Sequence, residues 1–152
     1  SGNIIDGAHA VNNAAFAIHS RIHMARPDVN AVAHAHTKYG RAFSSLGQPL
    51  LPISQDACMF FENHGVFATF TGVVAEKDEG DLIAESLGEH TAVILQNHGL
   101  ITLGSSVDAA VANFILMDSC CQSQLLAQAA VTWGNFQPLY SMLLAQDASF
   151  LE

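Results

Sequence analysis

Apolar positions fall along this chain in two alternating rhythms. Phe16, His19, Ile22 and His23 recur at helical spacing with Ile18 beside them, and Asn12 or Asn13 can cap a helix running to about Ala25. Pro27 ends that helix, because the residue before a proline is pushed out of the α region. Ala31–His36 is a short apolar run that reads as the central strand, and Thr37 can cap a short helix from Lys38 to Leu46 that Gly47 closes. Leu50–Ile53 is a candidate strand; Ala57–Phe61 is apolar enough for core; Val66–Phe70 alternates weakly, as a strand does. Glu76–Leu87 forms an amphipathic helix with acidic residues near its start and Gly88 at its end. Thr91–Leu95 and Leu100–Leu103 are β-rich runs pinched at Asn97-His98-Gly99, which predicts two strands joined by a turn. Ser105 or Ser106 caps a long helix from about Val107 to Val131, along which Phe114, Met117, Cys121 and Leu125 keep the 3.6-residue period, and Gly134 stops it. Two weaker segments flank this core: a short strand and turn at Ile4-Ile5-Asp6-Gly7 and a last helix over 138–146. Helices alternating with short strands predict an α/β fold in one domain spanning residues 1–152.

Composition narrows the class. Only 12% of the residues are charged, against an average of about 25%, a deficit that predicts extra buried surface and hence a homo-oligomer. The net charge of −9 argues against nucleic acid as a partner. All five basic residues (Arg21, Arg26, Lys38, Arg41, Lys77) lie at or before position 77, so an anionic substrate must be met there or by backbone amides. Asp108 and Asp118 interrupt the longest apolar helix, so no membrane span is expected. Three cysteines, two of them adjacent, make no disulfide framework and read as buried thiols in a reducing compartment, which predicts a cytoplasmic protein.

The candidate chemistry sits in the histidines. Side chains two apart on a strand share a face, so His34 and His36 project together, and His98 stands at a strand end where a turn can deliver it to them. Three neutral imidazoles with an open position suit a catalytic divalent metal: Zn2+, Fe2+, Mn2+ or Co2+. His19 and His23 are i, i+4 neighbours on one helix face, able to hold metal or to serve packing and support of the site. His9 reads as an exposed loop residue and His90 as a turn residue. Asn97 is either a supporting partner of the site or an ordinary turn residue, and Gly99 lets the backbone turn closely beneath it.

Ala25-Arg26-Pro27-Asp28 ahead of the His34/His36 strand, followed by Ala92-Val93-Ile94-Leu95-Gln96-Asn97-His98-Gly99-Leu100, resembles the class II aldolase/adducin family from about Asn12 to Ala130. The resemblance implies three layers, α/β/α, around a largely antiparallel sheet. It also implies a tetramer with sites at subunit boundaries and an N-terminal segment ahead of Ser1 that is missing here. The reaction it implies is that of an L-fuculose-phosphate aldolase: metal-dependent cleavage of a sugar phosphate to dihydroxyacetone phosphate and an aldehyde through a metal-stabilised enediolate, with His34, His36 and His98 as the metal ligands.

The acid–base residues of such aldolases do not carry over. The position of the family's helix carboxylate is Ala15, and alanine transfers no proton. Of the phosphate-binding serines only Asn13 still offers a hydrogen bond, and the tyrosine acid falls near Gln55 or Asp56. Glu62 and Asp56, in the loop after the histidine strand, are the candidate substitutes, with His64 a third. Two other readings follow. One is a decarboxylase or non-haem oxygenase on the same scaffold, where the metal holds a 2-oxo or aromatic acid and no helix carboxylate is needed. The other is a non-catalytic adducin-like assembly domain.

Overall fold

The structure is a computed structural model that describes residues 4, 6, 7, 10–68 and 77–130. The elements expected around Ile5, at Phe70 and beyond Ala130, together with His9, lie outside the described residues.

Helix α1 spans Asn13–Ala25, and the Asn12 side chain accepts the Ala15 N–H at its start. Strand β1 is Ala31–Ala35 and helix α2 is Lys38–Ser44. A single 3-10 turn follows at Ala57–Phe60. Strand β2 is His64–Phe67, helix α3 is Lys77–Leu87, and the strands β3 (Ala92–Leu95) and β4 (Gly99–Gly104) form the expected hairpin. Helix α4 runs over Val107–Ala130, with Ser106 as the serine that caps it by accepting the Ala109 N–H. Among the described residues no helix is long and apolar enough to cross a membrane.

The sheet order is β1-β4-β3-β2. β1 pairs antiparallel with β4 and β4 with β3, whereas β2 pairs parallel with β3, so the sheet is mixed rather than antiparallel throughout. Among the described residues β1 therefore stands at an edge of this sheet rather than at its centre. The parallel pair follows from the connection: β2 and β3 are joined through α3, and a crossover helix returns the chain to the same end of the sheet.

Alternation along the strands builds two cores. Val93, Leu95, Ile101 and Leu103 face Ala17, Ile18 and Ile22 of α1 and Ile83, Ala84 and Leu87 of α3. Ala92, Ile94 and Leu100 face the other way, onto Phe43 of α2, Phe60, and Phe114, Met117 and Cys121 of α4. Helices thus cover both faces, giving the three layers expected. Each fully buried side chain, such as Ile22 or Met117, contributes about 1.5–3 kcal/mol of transfer free energy. Cys120 and Cys121 are buried, but Cys58 is exposed, contrary to the expectation for all three.

Leu50–Ile53 is not a strand, because its donors go to side chains. The Leu50 N–H donates to His64 Nε2 at 2.9 Å, and the Leu51 N–H to Oε1 of the buried Gln124 at 2.7 Å. The α1–β1 turn is held by Arg26, whose guanidinium pairs with Asp28 and donates to the carbonyls of Gly88 and His90 just past α3.

Candidate metal centre

β1 and the β3–β4 turn meet at one end of the sheet, where Ala35 is opposite Leu100 and Leu95 opposite Gly99. Val32 packs into the core beneath α1 and α3, so His34, two residues on, projects from that same face. His36 lies just past the strand end, and His98 in the turn between the two hairpin strands. That turn is tied down by the Asn97 N–H donating to Ser44 O of α2 and the His98 N–H to Leu95 O. Asn97 takes a left-handed backbone (φ 60), which asparagine tolerates. At Gly99 a Cβ would meet the Ala35 carbonyl oxygen at 3.0 Å and His36 Cδ2 at 3.7 Å, so glycine allows the hairpin to close against the histidine strand.

The three imidazoles converge. One ring nitrogen from each of His34, His36 and His98 lies within 4.8 Å of the others, the one such trio of His, Cys, Asp or Glu among the described residues. The rings stand 4.6–5.0 Å apart, centroid to centroid, inclined at 66–78° to each other. His34 Nδ1–H donates to Leu100 O at 2.8 Å, which leaves Nε2 with a free lone pair 3.1 Å from His36 Nε2. Two nitrogens bound to one tetrahedral zinc stand about 3.3–3.4 Å apart, so this spacing fits a shared cation. Burial pushes the His34 pKa down to about 4, with His98, His36 and His19 adding to the effect and the bond to Leu100 opposing it. His98 is also lowered, by burial and then by His36, while the charge of Glu79 opposes. The His34 and His98 rings are therefore neutral near pH 7 and need lose no proton to act as ligands.

The structure does not bring Glu62 or Asp56 to the histidines. Glu62, exposed and left-handed (φ 51), lies in the turn before β2, and the register of His64 with Ala92 puts it at the opposite end of the sheet. Asp56 is exposed beside the 3-10 turn, and its charge acts on Cys120 in the core under α4, across the sheet from His34. His64 is also remote, with both ring nitrogens engaged by Phe60 O and the Leu50 N–H. The Asn13 and Asn97 side chains are exposed, and neither makes a hydrogen bond among the described residues.

Two groups that the sequence reading undervalued stand nearer. Glu79, in the first turn of α3, is close enough for its charge to act on His98, and His19 of α1 acts on His34 in the same way. Both lie beside the α1–α3 seam, where a Cβ on Gly80 would overlap the Ala17 carbonyl oxygen. His23, one turn beyond His19, donates instead to Val29 O. The i, i+4 histidine pair was the available signal for His19. Glu79 looked like an ordinary acid at a helix start.

Residues 1–125 match the family described as Class II Aldolase and Adducin N-terminal domain. The chain belongs to this family. It is 47% identical to decarboxylase NovR of Streptomyces niveus over 97% of its length and 63% of that protein. It is 46% identical, again over 97% of its length, to 61% of the 4-hydroxy-3-prenylphenylpyruvate oxygenase/4-hydroxy-3-prenylbenzoate synthase of Streptomyces roseochromogenus subsp. oscitans. The L-fuculose 1-phosphate aldolase structure from Glaciozyma antarctica PI12 superimposes with a TM-score of 0.77 at 45% identity, covering 86% of this chain and 51% of that one. The chain thus spans about three fifths of the length of these two curated relatives.

Proposed function

We propose that His34, His36 and His98 hold a divalent metal and that the site acts on a small organic acid, with the decarboxylase or oxygenase chemistry named for the Streptomyces relatives. The observation that carries this reading over sugar-phosphate cleavage is α1 itself: its sequence contains no Asp or Glu, and Ala15 stands exposed at its first turn. Aldol cleavage needs a proton acceptor there; decarboxylation of a 2-oxo acid does not.

The bound ion would supply Lewis acidity and, if it is iron, one-electron chemistry. Everything else falls to the chain. Three neutral imidazoles contribute no negative charge, so the loaded site stays cationic and favours a carboxylate or 2-oxo acid. Leu100 O fixes the His34 tautomer and ring orientation. His19 and Glu79, whose charges act on His34 and His98, are the candidates to accept or donate a proton from the α1–α3 wall.

Aldol cleavage of a sugar phosphate is the second reading, supported by the 45% identity to the Glaciozyma structure. One pair of assays separates them. The chain reconstituted with Fe2+ or Zn2+ is given 4-hydroxyphenylpyruvate, with carbon dioxide and oxygen followed, and L-fuculose 1-phosphate, with dihydroxyacetone phosphate followed. Carbon dioxide release is expected; dihydroxyacetone phosphate alone would restore the aldolase. No metal uptake and no turnover would favour an assembly domain. Self-association belongs to the same proposal. The exposed Val107, Val111 and Ile115, one turn apart along α4, support a homo-oligomer, and light scattering tests for the tetramer.

A further inference from the structure

The geometry points to Asp118 of α4 as the residue that positions His36, and so governs metal affinity, by holding the start of α2. This inference rests on the three-histidine reading above. Asp118 is a half-buried carboxylate in the stripe of α4 that otherwise carries Phe114, Met117 and Cys121 into the core. A charge in such a stripe requires partners. Its Oδ1 accepts two hydrogen bonds from one short piece of chain, from the Thr37 hydroxyl and from the Gly40 N–H at 2.8 Å. Thr37 directly follows His36. The ordinary cap, Thr37 Oγ1 accepting from Gly40 N–H, is longer at 3.3 Å, so the carboxylate from a distant helix takes the larger share of that donor.

The same knot reaches the second histidine. A Cβ on Gly40 would stand 2.7 Å from Thr37 Oγ1 and 3.0 Å from Leu100 Cδ1, so Leu100 packs directly on the segment that Asp118 holds. The Leu100 carbonyl is the acceptor for His34 Nδ1–H. Among the described residues no Lys or Arg pairs with Asp118. Its negative charge instead meets the N–H groups at the start of α2, behind the ligand set and without touching it. Asp118 is therefore a positioning residue: it acts on the ion through Thr37 and His36.

The test is Co2+ titration of the full chain, read by affinity and by the intensity of the visible cobalt bands, which report coordination geometry. Asp118→Ala is expected to weaken binding about tenfold or more, in line with losses of supporting partners at metal sites, and to change the band intensities. Asp118→Asn keeps an acceptor oxygen in place and should recover most of the affinity. Arg26→Ala is the control: it breaks a clamp remote from the histidines and should lower the melting temperature without changing cobalt affinity. If Asp118→Ala does not fold, Thr37→Val, which removes one of the two bonds, takes its place. Unchanged affinity in these variants, or an equal loss in Arg26→Ala, overturns the positioning role while leaving the metal site standing. Failure of the unmodified chain to bind cobalt overturns both.

Discussion

His34 Nδ1–H donates to Leu100 O at 2.8 Å across the β1–β4 pair, and that bond decides which nitrogen remains for a ligand role. With Nδ1 engaged, Nε2 carries the lone pair and faces His36. The chain should take up about one zinc or iron ion. His98→Ala and His34→Ala should each lose it while the circular dichroism spectrum is retained, and metal content unchanged by both substitutions would sink the three-histidine assignment.

Proton transfer should map to the α1–α3 wall. His19→Gln and Glu79→Gln are expected to lower kcat, by up to about 10²-fold, with metal content intact. Glu62→Gln, at the far end of the sheet, should leave kcat unchanged. A slow Glu62→Gln enzyme beside normal His19 and Glu79 variants would reverse the assignment.

Stability should fall in mild acid. His64 has its pKa lowered from the ordinary 6.5 chiefly by burial, with His90 adding and the bond to Phe60 O opposing. Protonation would also turn Nε2 from an acceptor into a donor facing the Leu50 N–H. Below about pH 6.5 the unfolded chain takes up a proton that the folded chain refuses, so this stability is present at neutral pH and drains away down to the folded pKa. Melting curves from about pH 8 to about pH 5 should show a steeper loss in the unmodified chain than in His64→Gln. Parallel curves would remove His64 as the cause.

Gly65 tests the packing of α3 on β2. A Cβ there would overlap the Ser86 carbonyl oxygen, which is backbone and cannot rotate away. Gly65→Ala should cost about 1–3 kcal/mol or more in chemical denaturation. Since the clash lies away from the histidines, cobalt affinity of the folded fraction should not change.

The helices were legible because their signals are local. Asn12, Thr37 and Ser106 accept first-turn N–H groups where the sequence suggested caps, and Asn97-His98-Gly99 makes the hairpin turn. The histidine trio was legible for a related reason, since a period of two on a strand and a turn at a strand end fix where side chains point. What could not be read depends on contacts between distant segments. Leu50–Ile53 has a strand-like composition, yet Gln124 and His64 claim its donors. Glu62 and Asp56 looked near the histidines because they follow them in sequence, but the pairing of β2 with β3 carries Glu62 to the other end of the sheet. Asp118 was visible only as an interruption of an apolar helix, and its partners lie at the cap and in the first turn of α2.

The position of β1 has a further consequence. Among the described residues it is an edge strand, joined to the sheet through β4; it carries His34, with His36 just past its end, while the third histidine sits in the neighbouring hairpin turn. An ion gripped by all three would be a staple across that edge, closing a long loop of chain that the unfolded state leaves open. Each tenfold rise in free metal above its dissociation constant would then add about 1.4 kcal/mol to the folded state. Metal supply would set how much folded protein persists as well as how much of it is active.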